Sequence, residues 1–210
     1  MKQLFPRRAV LPALVCLLPI AAGAALYSRL PQQVVTHWNF AGQPDGYSSR
    51  FFAVVGLPAL LFLLHIVMVV ILTHDPHRKN MSAALFGVSL WAMPVLSVVM
   101  QGLILATALG AQLPVGTIVM VLVGLLFTVV GNYLPKCKHN YSMGIRLPWT
   151  LSSEENWNRT HRLAGWLWTI GGLLMAASGL LGWQGVTMAV IIAITVLPAV
   201  YSFLLYRKGI

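Results

Sequence analysis

Six apolar runs, at roughly 9–26, 51–72, 82–109, 115–134, 163–181 and 185–206, are each near the length needed to cross a bilayer. A transmembrane helix takes about 20 predominantly apolar residues, and in hydrocarbon a helix is one of the few ways a backbone can satisfy its own polar groups. Composition leaves little alternative. Hydrophobic residues make up 58% of the chain and charged ones 9%, against roughly 25% charged in a soluble domain. Such a chain lacks the polar atoms to clothe a water-facing surface. Six spans and their short connections also use up nearly all 210 residues, so no soluble domain is left over. The expected fold is all-α, a polytopic integral membrane helix bundle forming one membrane domain over 1–210. Within it, 1–72 makes an N-terminal hairpin with an outer loop at 27–50, 82–134 a middle hairpin, 135–162 an inner loop and 163–206 a C-terminal hairpin.

Orientation follows from the basic residues. Lys2, Arg7 and Arg8 precede the first run, and Arg78 and Lys79 follow the second. Lys136, Lys138, Arg146, Arg159 and Arg162 precede the fifth, and Arg207 and Lys208 close the tail. The opposite face carries only Arg29 and Arg50. Cytoplasmic loops are the ones enriched in Lys and Arg, which puts both termini inside a bacterial cytoplasmic membrane. The same placement explains the net charge of +10 without a nucleic-acid partner. The basic start, apolar stretch and Ala22-Gly23-Ala24 also resemble a signal peptide. Cleavage there would leave five spans in the same orientation, so charge does not choose between retention and removal. Prolines at 12, 19, 58, 94 and 198 interrupt the runs, either as kinks around a cavity or as irregular packing satisfied by neighbours. Gly165, Gly171, Gly172, Ala176, Ala177 and Gly179 suggest a close helix contact on the fifth span. Cys16 and Cys137 are not paired by any spacing.

Two loops carry pattern beyond mere connection. Outside, Gln43-Pro44-Asp45-Gly46 is a turn sequence, and His37, Trp38 and Asn39 lie within reach if the loop folds back. Trp38 and Tyr47 suit the membrane interface. The group is either a grip on a peptide or ion, through His37, Asn39 and Asp45, or a capped turn with interfacial anchors. Inside, Leu134-Pro135 ends the fourth helix, while Gly144 and Pro148 keep the following stretch irregular. Ser152 with Glu155 fits a capping box, and Glu155 with Arg159 an intrahelical pair. An interfacial helix then continues through Trp157 and His161 into the fifth span. Arg146 beside Trp149 is the group best able to bind a carboxylate or phosphate. A basic loop held against anionic headgroups is the alternative.

The inner stretch GNYLPKCKHNYSMGIRLPWTLSSEENWNRTHRLAGWLW resembles the hallmark segment of the SdpI family of bacterial membrane proteins, most specifically in GIRLPWT and WNRTH. The outer THWNFAGQPDGYSSR is similar to the motif of the domain of unknown function that commonly precedes it. One departure is Leu147, where a smaller Thr is more usual in the family. The resemblance implies immunity to, or sensing of, a secreted antimicrobial peptide toxin, with relay to a cytoplasmic repressor. It marks His37, Trp38, Asn39, Gly42, Pro44, Asp45 and Tyr47 outside. Inside it marks Asn132, Pro135, Asn140, Gly144, Ile145, Arg146, Pro148, Trp149, Thr150, Trp157, Thr160 and His161.

Other chemistry has few parts. Dinucleotide, Walker, zinc-protease and nucleophile-elbow patterns are missing, so no catalytic residue is assigned and no cofactor is expected. Asp45, Asp75, Glu154 and Glu155 are the only acids and none lies in a span, which deprives a carboxylate proton relay of its components. His65 and Gln101 do lie in spans. An intramembrane His is a functional candidate, or a neutral group bonded to a neighbouring helix. Weak metal candidates are His37 and Asp45 outside, and His139, Glu154, Glu155 and His161 inside. A small-solute or peptide transporter and a metal-dependent membrane enzyme are the competing functions.

Overall fold

The computed structural model describes residues 6–210, so Lys2 lies outside the described residues. Its helices are α1 (Arg7–Leu26), α2 (Leu57–His74), α3 (Ala83–Ala108), α4 (Val115–Tyr133), α5 (Pro148–Ser152), α6 (Glu154–Leu181) and α7 (Gln184–Arg207). Strands β1 (Gln33–Trp38) and β2 (Pro44–Ser49) form an antiparallel pair between α1 and α2. Among the described residues six helices are long and apolar enough to cross a membrane, so this is an all-α, polytopic membrane fold with one small β-hairpin added. The chain divides into two compact units. One comprises Met1–Thr73 and Gly87–Gly116, the other His74–Phe86 and Thr117–Ile210.

In the first unit, Pro58 shapes the start of α2. Its ring crowds the carbonyl four residues back and it has no N–H to give. The preceding turn, Phe52–Gly56, is accordingly widened into a π-helix, in which the Leu57 N–H donates to the Phe52 carbonyl. The irregularity at this proline is therefore carried by the turn before it. Pro12 and Pro19 lie inside α1 and Pro94 inside α3. Ser97 Oγ donates to the Cys16 carbonyl at 3.0 Å, joining α3 to α1.

The outer loop folds as the β-hairpin, and its reversal is not where the sequence places it. Pro44, Asp45 and Gly46 belong to β2. The chain turns instead over Asn39–Gln43, where Asn39 Oδ1 accepts from the N–H groups of Ala41 and Gln43 at 2.9 and 3.0 Å. Gly42 completes the reversal at φ +74°. The asparagine side chain imitates a backbone turn, and Pro44 is tolerated because it starts a strand in a two-stranded sheet. Val34 is buried with Ala53 and Ile104, and Trp38 and Leu57 pack against that cluster. Arg50 lies over the Tyr27 ring at 4.5 Å and donates to the Tyr27 and Leu30 carbonyls at 3.3 and 3.4 Å, closing the hairpin's base.

In the second unit, α4 and α6 meet along a seam of small residues. A Cβ on Gly172 would lie 2.4 Å from the Gly124 carbonyl, and one on Gly124 2.5 Å from the Gly172 carbonyl. Gly131 faces Thr169, and Gly165 faces Pro135 just beyond the end of α4. In lipid, where apolar side chains gain little by meeting each other, such close backbone approach drives association. Helix α6 runs 28 residues without a break, which joins the expected interfacial helix and fifth span into one element. Its N-cap is Ser153, whose Oγ accepts from the Asn156 N–H at 3.2 Å, rather than Ser152. Serine-capped, the helix carries Glu154 and Glu155 in its first turn, where the helix dipole favours them. Glu155 and Arg159 form the expected pair. Gly182 at φ +70° ends α6 and returns the chain into α7. Ser178 and Thr187 hydrogen-bond across that hairpin at 2.6 Å.

Candidate functional site

The stretch between α4 and α6 is neither open nor loosely held. Asn140 is fully buried. Its Oδ1 accepts from the N–H groups of Ser142 and Met143 at 3.0 and 2.7 Å, and its Nδ2 donates to the Lys138 carbonyl and Cys137 Sγ at 2.9 and 3.1 Å. Every hydrogen-bonding group of that amide is therefore used on its own loop. Thr150, also fully buried, accepts from the Leu147 N–H at 2.8 Å and faces the Ile145 carbonyl at 2.8 Å. It thereby ties both sides of Arg146 to the start of α5.

His161 and Trp157 form the floor. Their rings stack with centroids 3.9 Å apart. The Ile145 N–H donates to His161 Nε2 at 2.9 Å, so Nδ1 carries the proton and donates to the Trp157 carbonyl at 2.8 Å. Trp157 Nε1 donates to the Cys137 carbonyl at 2.8 Å. Gly144 passes over this floor at φ +103°, and a Cβ there would lie 2.3 Å from His161 Nε2. No residue but glycine fits both the dihedral and the space.

A further partner comes from the α2–α3 connection. Asp75, 5% exposed, accepts from the His77 and Tyr141 N–H groups at 2.7 and 3.0 Å and from Ser142 Oγ. Asn80 Nδ2 donates to the His139 carbonyl at 2.7 Å, and the Lys138 N–H donates to the Asn80 carbonyl at 3.2 Å. Two separate loops are thus clipped into one. Motif reading missed Asp75. The signal that could have found it is a lone acid placed directly after a span, in a segment otherwise basic. Asn156 was missed too. It is buried, accepts from Thr160 Oγ1 at 3.1 Å and donates to the Ser202 carbonyl at 2.9 Å. Trp149 Nε1 donates to Ser202 Oγ at 2.7 Å, so the motif is also pinned to α7.

Not every expected inner residue joins the nest. Asn132 is exposed near the end of α4. Pro135 packs its ring on Gly165. Arg146 is exposed, with one Nη donating to the Tyr141 carbonyl at 2.9 Å, while Trp149 turns away to α7. Three of the four inner metal candidates have protein partners. Both His161 nitrogens are engaged, His139 Nε2 pairs with the Leu151 carbonyl at 2.9 Å, and Glu155 goes to Arg159. Among the described residues no three His, Cys, Asp or Glu side chains come together as a metal-holding group. Burial pushes the Cys137 thiol above its ordinary pKa, against an opposing hydrogen bond from Asn140.

In the other unit, the hairpin presents a contrasting surface. His37 Nδ1 and Asp45 Oδ1 are 2.5 Å apart, with side chains 72% and 42% exposed. They lie across the strand pair, where Gly46 opposes His37. A Cβ on Gly46 would be 2.8 Å from His37 Cβ, so the glycine lets the imidazole cross to Asp45. Tyr47 and Phe40 are exposed, while Trp38 is half-buried. Asn39 and Gly42 shape the turn, and Gly42 touches Gly116. The seven expected outer residues therefore separate into a turn (Asn39, Gly42), an anchor (Trp38, paired with Pro44) and an accessible face (His37, Asp45, Tyr47).

Residues 136–202 match the SdpI/YfhL protein family, and residues 14–62 match a domain of unknown function, DUF1648. The chain is similar to the immunity protein SdpI of Bacillus subtilis (strain 168), with 22% identity over 96% of this chain and 97% of that one. No solved structure matches it.

Proposed function

Because this chain is a membrane protein of the SdpI family, we propose that it protects a bacterium against a secreted antimicrobial peptide, or senses that peptide. The observation that carries the reading is the end-to-end similarity to an immunity protein, in which the helical spans and both motif loops take part. The charge asymmetry supports both termini lying in the cytoplasm, with the hairpin outside and the α4–α6 loop inside. The exposed face of His37, Asp45 and Tyr47 is then the part a peptide arriving from outside meets first. An exposed aromatic ring on the same strand pair as a His–carboxylate pair offers a flat apolar surface and a polar grip at the interface.

The inner motif supports a different role from the outer one. Asn140, Thr150, Trp157 and His161 are buried and spend their polar atoms on the protein itself. Such residues hold a conformation rather than recognise a ligand. The inner loop thus fixes the arrangement that resists the peptide, and Arg146, accessible at its surface, is what a cytoplasmic repressor would contact. Relay to a repressor requires a second arrangement with different peptide affinity.

Survival of a sensitive strain expressing the protein, challenged with a panel of secreted peptides, tests this. Protection is expected from the native chain and is expected to fall with Tyr47→Ala combined with Asp45→Asn, at unchanged membrane levels. Both side chains are accessible, so their loss leaves the hairpin's packed face intact. Full protection by that double variant would remove the outer face from the mechanism.

A further inference from the structure

The α2–α3 and α4–α5 connections are distant in sequence, yet Asp75 and Asn80 join them. The junction places Arg78, Lys79, Lys136, Lys138, Arg146 and Arg162 on one unit, and all six are exposed. What makes the surface basic is how its acids are used. Asp75 is buried and satisfied by two backbone N–H groups and a hydroxyl, and it forms no ion pair with a cation among the described residues. Glu155 is taken by Arg159. Among the described residues, none of the six cations is in an ion pair. Glu154 is the one acid left on these loops to offset them.

Two of the cations show the level at which this charge lies. Arg78 Cζ sits over the Phe86 ring at 5.6 Å, and Phe86 belongs to the first turn of α3. Lys136 Nζ sits over the Tyr133 ring at 4.9 Å, and Tyr133 is the last residue of α4. Both side chains are folded back onto rings at the ends of spans rather than extended into water. The end of an apolar span marks the headgroup layer of a bilayer. We infer that the two clipped loops form a binding surface for the phosphate headgroups of anionic phospholipids. A soluble acidic protein would meet charges projecting outward. Arg78 and Lys136 instead lie at the level of the span ends, where each Lys or Arg near an anionic surface is worth about 1 kcal/mol, or roughly fivefold in affinity.

The full chain, purified in a neutral detergent, is titrated with dioleoylphosphatidylglycerol or dioleoylphosphatidylcholine in mixed micelles, and bound lipid is read by native mass spectrometry. Phosphatidylglycerol is expected to be retained in preference. The double variant Arg78→Gln with Lys136→Gln is expected to lower that preference by about 25-fold, while Arg29→Gln leaves it unchanged. Salt at about 1 M, where the screening length is about 3 Å, is expected to abolish it. If the double variant does not elute as folded protein, Lys79→Gln with Lys138→Gln replaces it, with the same expectation. Equal retention of the two lipids, or an equal loss in Arg29→Gln, overturns the assignment. Displacement of the lipid by millimolar inorganic phosphate overturns it as well, because it makes the surface a free-phosphate site.

Discussion

At the scale of single residues, the inner motif consists of positions with one solution each. Gly144 is the most constrained, since its φ of +103° and the His161 ring below it act together. Gly144→Ala adds backbone strain of about 1–3 kcal/mol and displaces the imidazole, which breaks the bond from the Ile145 N–H. A drop in melting temperature on the order of 5 °C is expected in detergent, read from intrinsic tryptophan fluorescence. Asp75→Asn preserves shape but places an amide where two oxygens accept from three donors. One donor is left facing an N–H, a loss of about 1–3 kcal/mol, and the α2–α3 loop should become sensitive to limited proteolysis near Arg78. An unchanged digestion pattern would refute the clip. Cys137 behaves oppositely to a reactive thiol. Burial raises its pKa, so it stays protonated at neutral pH and is expected to alkylate at least about tenfold more slowly native than denatured. The sign for stability follows. Above the ordinary thiol range the unfolded thiol ionises while the buried one does not, so this group's contribution is lost as pH rises. Sequence made Gly144 and Arg146 legible because glycine and an arginine beside a tryptophan in a patterned loop stand out. Asp75 was not legible. Its role depends on a contact 66 residues away, and no local pattern encodes that distance.

At the scale of elements, the spans were legible and the caps and turns were less so. Apolar length fixes a transmembrane helix almost by itself, hence the agreement of four runs with α1, α3, α4 and α7 to within two residues, while α2 begins six residues later and α6 nine residues earlier than their runs. Turn chemistry competes locally. Asn39-Phe40-Ala41-Gly42 and Gln43-Pro44-Asp45-Gly46 are adjacent and both can reverse a chain. The winner was decided by Val34 and Trp38, which must pack on Ala53, Ile104 and Leu57. A reversal four residues later would shift that register. The small-residue face on α6 was visible, but its partner was not, because the glycines of α4, Gly116, Gly124 and Gly131, are widely spaced. That contact separates two glycine substitutions. In Gly172→Ala the new methyl meets the Gly124 carbonyl and the Thr128 N–H at 2.4 and 2.5 Å, so α4 and α6 must move apart at a cost of about 1–3 kcal/mol or more. In Gly185→Ala it meets open space and gains up to about 1 kcal/mol of helix propensity. Folded protein recovered from membranes should fall in the first and hold or rise in the second.

At the scale of the whole molecule, charge predicts which way the chain faces but does not decide a second question, whether its first segment stays. Packing bears on the second. Ala9, Cys16 and Gly23 of α1 are buried, Cys16 accepts from Ser97 of α3, and a Cβ on Gly23 would overlap Val54 at 2.7 Å. Removing α1 would expose Gln101 and Ser97, both at most 3% exposed, to lipid that offers them no partner. The mature protein is therefore expected to keep α1, and its intact mass should include residues 7–26. A mass that begins after Ala24 would mean that α3 finds another cover. Orientation is tested in the same cells. Alkaline phosphatase fused after Ala111 should be active and after Lys79 inactive, while a fluorescent protein fused after Ile210 should glow, since each reporter works on one side only. Reversing Arg78 and Lys79 to glutamates sharpens the test, because they are two of only a few short-loop cations near α2 and α3. If inner charge sets the topology, that variant should show mixed reporter activity at Ala111, whereas a topology fixed by the first span alone would leave it unchanged.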